Sequence, residues 1–321
     1  MGTSRATSAV YDEAAPLVGR KRVSADTFEL ALRAPRIAAA ARPGQFVNIL
    51  LPSPDFAYRV IEGGEWQPGR GRPFLVRRPF SIYRTDPSDA PADTLALLVK
   101  VVGPGTQRLS ELPIGTSLKV LGPLGNTFRL PPQGAPAALV AGGCGWASLG
   151  MLASELRRLD HPTYAFIGAR SVETLPIKTT EVYASRVTRH AALSDELPEA
   201  CLTSAELESL GIVVALAAEA GGKLYGGLVT DLLAAFLRAH GQSGIHLYAC
   251  GPWAMLARVA ELAREHGAPC QVAMEERMAC GIGVCNSCVV EIRLPDGTLG
   301  HKKLCTDGPV LDAGEVNWER A

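Results

Sequence analysis

The sequence predicts a multidomain β plus α/β protein: an antiparallel β-barrel, a doubly wound parallel sheet and a small cysteine-rich C-terminal domain. Three observations predict this order. Short apolar segments separated by Pro/Gly turns fill the first third, buried strands alternate with amphipathic helices in the middle, and four closely spaced cysteines lie near the C-terminus. We place the domains at residues 1–134, 135–274 and 275–321 of the 321 residues.

Four apolar segments of the first third predict the strands of the barrel. They are Arg22–Leu32, which alternates only in part, Gln45–Leu51, Leu95–Val102 and Leu118–Leu121. Gly and Pro turns bound them, a pattern that favours a barrel. Residues 52–72, rich in Pro, Gly and charge, are predicted to form a surface excursion.

One candidate binding segment of the barrel contains Arg78, Pro79 and Ser81. An Arg fork beside a Ser hydroxyl on an extended strand can bind a diphosphate or an isoalloxazine ring. Taken alone, a solvated Arg pair on an edge strand explains these residues better.

A second candidate segment contains Gly103, Gly105 and Thr106, at the end of the apolar segment Leu95–Val102. A Gly-rich turn of this kind exposes backbone N–H groups that can bind phosphate. An ordinary turn is an equally good explanation of the segment by itself.

The middle third alternates between strands and helices. The predicted strands are Ala137–Ala141, Tyr164–Ala169, Ile212–Ala217 and Ile245–Ala249. Three helices are predicted: one after Ser148, one after Thr230, and one from Trp253 to about His266. This alternation implies a parallel, doubly wound sheet, whose ligands bind beyond the carboxyl ends of the strands. Residues 175–210 are not assigned.

Two short turns lie at those carboxyl ends and are candidate nucleotide-binding segments. They contain Gly142, Gly143 and Gly145 after the first strand, and Cys250, Gly251 and Pro252 after the last. The first turn departs from the G-x-G-x-x-G pattern at Ser148, and such a match is weak by itself.

The C-terminal cysteines predict a [2Fe–2S] cluster. Cys280, Cys285, Cys288 and Cys305 have the spacing C-x4-C-x2-C, then sixteen residues, then C, which is that of plant-type ferredoxins. Gly281 and Gly283, inside the loop, can take positive φ and turn N–H groups toward sulfur. A zinc site usually shows two separate cysteine pairs, but it stays open as the alternative.

Composition narrows the class of protein. The 32 basic and 32 acidic residues cancel, so the charge balance does not favour nucleic acid or an anionic membrane as a partner. No apolar run approaches the length of a membrane span, and the chain does not open on a secretory signal. Eight cysteines without such a signal favour a reducing compartment, and the predicted location is the cytoplasm.

The order of these motifs resembles the ferredoxin–NAD(P) reductase superfamily. Residues 274–283 and 304–310 narrow the resemblance to the electron-transfer subunits of two-component dihydroorotate dehydrogenases. The resemblance implies FAD on the barrel, NAD(H) on the α/β domain and a [2Fe–2S] cluster in the tail. It does not settle NAD against NADP.

The same resemblance assigns roles to the candidate residues. It implies that flavin is bound by Arg78, Pro79 and Ser81, and its phosphate by Gly103, Gly105 and Thr106. It implies that the nicotinamide lies beside Gly142, Gly143 and Gly145. The site of hydride exchange is expected near Cys250, Gly251 and Pro252, with Cys250 as the catalytic candidate. A small buried cysteine explains Cys250 equally well. Cys144 and Ser148 depart from the aliphatic residue and the proline usual in the family.

The resemblance also implies a partner. In the family, dihydroorotate is oxidised in pyrimidine biosynthesis on a TIM barrel, a fold of about 250 residues for which this chain has no room. We therefore expect a hetero-oligomer with an FMN-containing catalytic subunit. Two alternatives are an NAD(P)H:ferredoxin-type oxidoreductase subunit of another complex, bifurcating complexes included, and a non-redox scaffold with a zinc-bound tail.

Overall fold

The computed structural model describes residues 9–52, 59–60, 66–67, 76–87, 90–183, 200–240 and 244–319. Two seven-stranded sheets dominate these residues, and three two-stranded sheets accompany them. The predicted excursion at 52–72 lies largely outside the described residues, and so do residues 184–199 of the unassigned stretch 175–210.

The first sheet is antiparallel and forms a half-barrel. Its elements are β1 (Tyr11–Arg22), β2 (Thr27–Arg33), β3 (Phe46–Leu50), β6 (Arg78–Ser81), β7 (Arg84–Thr85), β8 (Thr94–Lys100) and β9 (Ser117–Leu124), in the order β6-β3-β9-β1-β2-β8-β7. Two helices, α1 (Pro35–Ala40) and α2 (Pro104–Glu111), join its strands, and the short pair β4 (Arg59–Val60) and β5 (Trp66–Gln67) stands apart. Its core consists of alternate strand residues such as Leu30, Leu32, Val47 and Ile49.

The prediction of one strand over Arg22–Leu32 is wrong. The chain turns there, and Val23 N donates to Thr27 O at 2.9 Å, which separates β1 from β2. The slips in the alternation mark this turn. Strand β1 was missed because only Ala15 and Leu17 of its residues are fully buried, so its apolar period is weak.

The second sheet is parallel except at one edge. Its strands are β10 (Ala137–Gly142), β11 (Thr163–Ala169), β14 (Val213–Ala218), β15 (Tyr225–Gly226), β16 (His246–Cys250), β17 (Cys270–Ala273) and the antiparallel β20 (Val310–Asp312), in the order β15-β14-β11-β10-β16-β17-β20. Helices α3 (Trp146–Arg158), α4 (Ala205–Ser209), α5 (Val229–His240) and α6 (Trp253–Glu265) accompany them, with the pair β12 (Thr180–Tyr183) and β13 (Ala200–Thr203).

Helices cover both faces of this sheet, as the doubly wound prediction requires. Leu149 and Leu152 of α3 pack with Leu139 on one face. Phe236 of α5 and Leu256 of α6 pack with residues of β10 and β16 on the other. The predicted fold class is therefore confirmed.

The cysteine-rich region is inserted between the last two strands of the second sheet. It contains the hairpin β18 (Val289–Arg293) and β19 (Leu299–Lys303). Val310 of β20 returns to pair with Ala273 of β17. The domain boundaries themselves stay a prediction.

None of the helices in the described ranges is both long and apolar enough to cross a membrane.

Candidate functional site

The four predicted ligand cysteines converge in one region. Cys280 and Cys285 lie on the loop that precedes β18, whereas Cys288 and Cys305 are buried at the ends of the β18–β19 hairpin. Backbone N–H groups turn toward their sulfurs: Cys285 N lies 3.4 Å from Cys280 Sγ, and Gly283 N lies 3.2 Å from Cys305 Sγ. N–H groups aimed at sulfur stabilise thiolates, the form in which cysteine binds metal.

Side-chain hydrogen bonds join the four free thiols in two pairs, Cys280 with Cys285 and Cys288 with Cys305. The hydroxyl and N–H of Ser287 lower the pKa of Cys285 to about 6, whereas burial raises the pKa of Cys305 to about 12. In the described part of the chain, no three His, Cys, Asp or Glu side chains surround a single point as one metal ion requires. Two pairs suit two irons, since a [2Fe–2S] cluster takes two thiolates on each.

The loop can curl because two of its residues are glycine. Gly281 has φ +70°, and a Cβ there would lie 1.8 Å from Asn48 Nδ2. Gly283 has φ +86°, and a Cβ there would lie 2.8 Å from Thr306 Cγ2. Both positions therefore require glycine for conformation and for space.

Two asparagines of the barrel hold the cysteine-rich region. Asn48, on β3, donates through Nδ2 to Cys280 O at 3.1 Å. Asn126, just after β9, donates to Asp307 O and Val310 O at 3.2 and 2.7 Å, and accepts from Val310 N at 2.9 Å. The main chain at Cys280 and the segment after Cys305 are thus both hydrogen-bonded to residues of the barrel.

A second centre connects the barrel to the parallel sheet. The Oγ atoms of Ser81 and Ser148 share a hydrogen bond of 2.8 Å. Cys250 Sγ donates to Ser148 Oγ at 3.5 Å and lies 3.9 Å from Glu275 Oε1. The structure thus brings together two predicted site residues, Ser81 and Cys250, through a serine that was predicted only as a departure from the family pattern.

The thiol of Cys250 is fully buried and neutral. Burial, with a further contribution from Glu275, raises its pKa well above the usual value. Although Glu275 is exposed as a residue, local desolvation raises the pKa of its carboxyl group. Burial likewise raises the pKa of Cys144 to about 11. A neutral thiol can donate a hydrogen bond or pack against a ring, but it is a poor nucleophile.

The two predicted nucleotide-binding turns lie against each other. Ala141 pairs with Cys250 across β10 and β16, and a Cβ on Gly145 would lie 2.1 Å from Cys250 O. A Cβ on Gly142 would meet Pro252 Cδ at 2.6 Å, and one on Gly251 would meet Gly142 N at 2.9 Å. By contrast, Gly143, with φ +52°, faces open space. A ligand can approach the backbone at that point.

The predicted phosphate turn forms the first turn of α2. Thr106 Oγ1 accepts from Val102 N and Gly103 N at 2.9 and 3.2 Å, so its hydroxyl stabilises the start of the helix. The side of Gly103 where a Cβ would stand is open. The first N–H groups of a helix have no partner within the helix, and they favour an anion there.

The remaining predicted residues, Arg78 and Pro79, lie on β6. Arg78 donates to Val76 O at 3.1 Å, a local contact, while Pro79 pairs with Asn48 of β3. The neighbouring Arg77 has a structural role instead, since it donates to Asp12 and to Asn48 O.

Sequence reasoning missed Asn48, Asn126, Ser148 and Glu275 as functional candidates. Their contacts join segments up to 232 positions apart in the chain. Ser148 carried a signal in the sequence, as a polar residue in a turn where the family usually has proline, and Glu275 lies in the segment 274–283 that narrowed the resemblance.

Comparison with known proteins places the chain in a family. Residues 275–317 match the family model of the iron–sulfur cluster binding domain of dihydroorotate dehydrogenase B. The electron transfer subunit of dihydroorotate dehydrogenase B (NAD(+)) from Desulforamulus reducens is 30% identical over 97% of this chain and 100% of the relative. The chain belongs to this family. The corresponding subunit from Geobacillus thermodenitrificans is 32% identical over 94% of this chain and 96% of its own length.

Solved structures agree with this placement. An NADH-dependent reduced ferredoxin–NADP oxidoreductase, described for flavin-based electron bifurcation, is 26% identical with a TM-score of 0.68, covering 96% of this chain and 91% of its own. An Amycolatopsis cytochrome P450 reductase shares the fold at 22% identity and a TM-score of 0.55, over 82% of this chain and 68% of its own. The predicted resemblance and the class of protein, an electron-transfer oxidoreductase, are confirmed.

Proposed function

We propose that this chain is the electron-transfer subunit of a dihydroorotate dehydrogenase B. It exchanges electrons between NAD(H) and an FMN-containing catalytic subunit in pyrimidine biosynthesis, in the cytoplasm. The observation that carries the proposal is the hydrogen bond from Asn48 to Cys280 O, which attaches the cysteine loop to the barrel strand that pairs with the predicted flavin-binding segment Arg78–Ser81. Full-length similarity to subunits of this name supports it.

The residues present fit the three cofactors. Cys280, Cys285, Cys288 and Cys305 would hold the cluster, since they form two pairs with N–H groups aimed at sulfur. Ser81 and the first turn of α2 would hold FAD, and the open backbone at Gly143 would receive NAD(H). When bound, FAD takes two electrons as a hydride from NADH, and the cluster carries them singly.

The residues of the chain position these groups and control protons. Ser81 and Ser148 orient each other's hydroxyls through their shared hydrogen bond. Cys250 stays protonated, so it offers a hydrogen bond and a compact apolar surface rather than a nucleophile. Desolvation raises the pKa of Glu275, whose Oε1 lies 3.9 Å from the Cys250 thiol. The proposal also includes the predicted roles of Arg78 in binding flavin, of Gly105 in binding its phosphate and of Pro252 near the site of hydride exchange.

Reconstitution tests the function. The purified chain is combined with an FMN-containing dihydroorotate dehydrogenase subunit, and dihydroorotate-dependent reduction of NAD⁺ is followed at 340 nm. We expect turnover only from the pair, with FAD and iron on this chain. A pair that lacks this turnover, while each cofactor is loaded, contradicts the proposal.

A second candidate function is reduction of ferredoxin by NAD(P)H in another complex. The 26% identity to a reduced ferredoxin–NADP oxidoreductase over 96% of this chain favours it. Reduction of ferredoxin by the chain, together with indifference to dihydroorotate and orotate, would select this alternative.

A further inference from the structure

Asn48 provides the contact between the barrel and the first ligand of the cysteine-rich region. It lies on β3 and is 1% exposed. Its Nδ2 donates to the carbonyl oxygen of Cys280 at 3.1 Å. The donor side chain is therefore sheltered from water and the bond is partly buried, and burial strengthens a hydrogen bond.

The chain around Cys280 is shaped to this amide. Gly281 follows directly, and a Cβ at that residue would lie 1.8 Å from Asn48 Nδ2 and 2.9 Å from Asn48 Cγ. The loop approaches the asparagine more closely than any residue with a side chain allows. Asn48 and Gly281 are thus complementary in shape across the junction of the two regions.

The backbone of Asn48 is held in place on the barrel side. Asn48 pairs with Pro79 of β6 and with Leu121 of β9, so it lies inside the sheet. Arg77 donates to Asn48 O at 3.2 Å and also binds Asp12 of β1. Asn48 therefore fixes the position of the cysteine loop relative to β6, the predicted flavin-binding strand.

Packing of the barrel alone does not explain an asparagine at this position. Its Oδ1 is buried, and among the described residues it has no hydrogen-bond partner. A buried acceptor without a partner costs free energy, which an apolar residue of the same shape would avoid. The donor, Nδ2, is therefore the part of the side chain with a role.

We propose that Asn48 is a positioning residue for electron transfer between FAD and the [2Fe–2S] cluster. Its amide holds the main chain of Cys280 against the strand that pairs with the flavin-binding strand β6. This inference rests on the proposed function, since it presumes both cofactors on this chain. The asparagine would act through Cys280, whose main chain it binds, and not as a ligand of either cofactor.

The test uses Asn48→Leu, which keeps the size but removes the donor, and Asn48→Ser, which tests the same loss if leucine is not accommodated. Asn317→Ser is the matched control, because Asn317 is also buried with an unpaired Oδ1 but bonds Glu291 within the cysteine-rich region. The measurements are FAD and iron per chain, the EPR spectrum and midpoint potential of the cluster, and stopped-flow reduction of flavin and cluster by NADH.

In both Asn48 variants we expect NADH to reduce the flavin at the normal rate. We expect the cluster to be reduced about tenfold more slowly and its EPR line shape to change, because a group that orients a metal ligand has been lost. The control keeps normal values throughout. Normal cluster reduction, potential and EPR spectrum in an Asn48 variant with full FAD and iron overturn the proposal. Absence of FAD or iron from the unmodified chain removes the proposed function instead, and this inference with it.

Discussion

Asn126 and Val310 bind each other in both directions across the junction of the barrel and the cysteine-rich region. Asn126 Nδ2 donates to Val310 O at 2.7 Å, and Val310 N donates to Asn126 Oδ1 at 2.9 Å. Val310 opens β20, the strand that closes the parallel sheet. One side chain thus fastens together the barrel, the cysteine-rich region and the second sheet.

Asn126→Ala should destabilise the protein. It removes three side-chain hydrogen bonds, each worth roughly 1 kcal/mol net, so we expect a loss of about 2–3 kcal/mol in the free energy of unfolding. Denaturant unfolding followed by tryptophan fluorescence measures it. Ser110→Ala, which removes an exposed bond within α2, is the control and should change little. An unchanged midpoint for Asn126→Ala would contradict the role assigned to this residue.

Gly281→Ala should impair assembly of the cysteine loop. The new Cβ meets Asn48 Nδ2 at 1.8 Å, and φ of +70° is unfavourable for alanine. Overpacking of this kind costs roughly 1–3 kcal/mol, so we expect lower iron content and a lower unfolding midpoint. Gly314→Ala is the control, because no atom lies within 4 Å of its added Cβ. Equal iron content in the two variants would contradict the prediction, because it would show that the loop accommodates the added Cβ at Gly281.

Cys285→Ser should remove most of the iron and leave FAD in place. The substitution removes the exposed thiol of the Cys280–Cys285 pair, and the side chain of Cys285 also hydrogen-bonds Ser287 of the same loop. Cys270→Ser is the control, because Cys270 lies in β17 outside the loop. Iron analysis and the visible spectrum decide between them. Full iron content in Cys285→Ser would exclude this residue as a ligand.

The cysteines of the cluster-free chain should differ in their reaction with iodoacetamide. Hydrogen bonds from Ser287 lower the pKa of Cys285 to about 6, so it is mostly thiolate at pH 7 and loses reactivity as the pH falls through 6. Burial raises the pKa of Cys144 to about 11, so that thiol stays protonated and slow below pH 10. Peptide mass spectrometry after brief labelling from pH 5 to 8 measures both. Labelling of Cys285 that is independent of pH would contradict the assigned pKa.

The sequence predicted the elements whose signals are local. The helix after Pro252 begins at Trp253 and ends at Glu265, close to the prediction, because its apolar period is regular. The spacing of the four cysteines predicted that Cys280, Cys285, Cys288 and Cys305 lie in one region, where the structure places them, and their role as ligands stays a prediction. Strand β1 was missed although it lies in the middle of the first sheet, since its sequence mixes charged residues with a few apolar ones.

The contacts that join the domains were beyond sequence reasoning. The bond from Asn48 to Cys280 spans 232 positions, and the bonds of Asn126 span more than 180. Such pairs depend on how two complete sheets pack, and an asparagine in a strand gives no local sign of a distant carbonyl. Ser148 is an intermediate case, since its position in the turn was evident but its bond to Ser81 was not.

The pairing of β17 with β20 has a consequence for engineering. Ala273 and Val310 are register partners, so the 36 intervening residues leave and re-enter the sheet at neighbouring points. Exchanging this stretch for that of a homologous reductase needs two splice junctions on one edge and leaves every parallel strand intact. A chimera of that kind would let redox properties be transplanted separately from nucleotide preference.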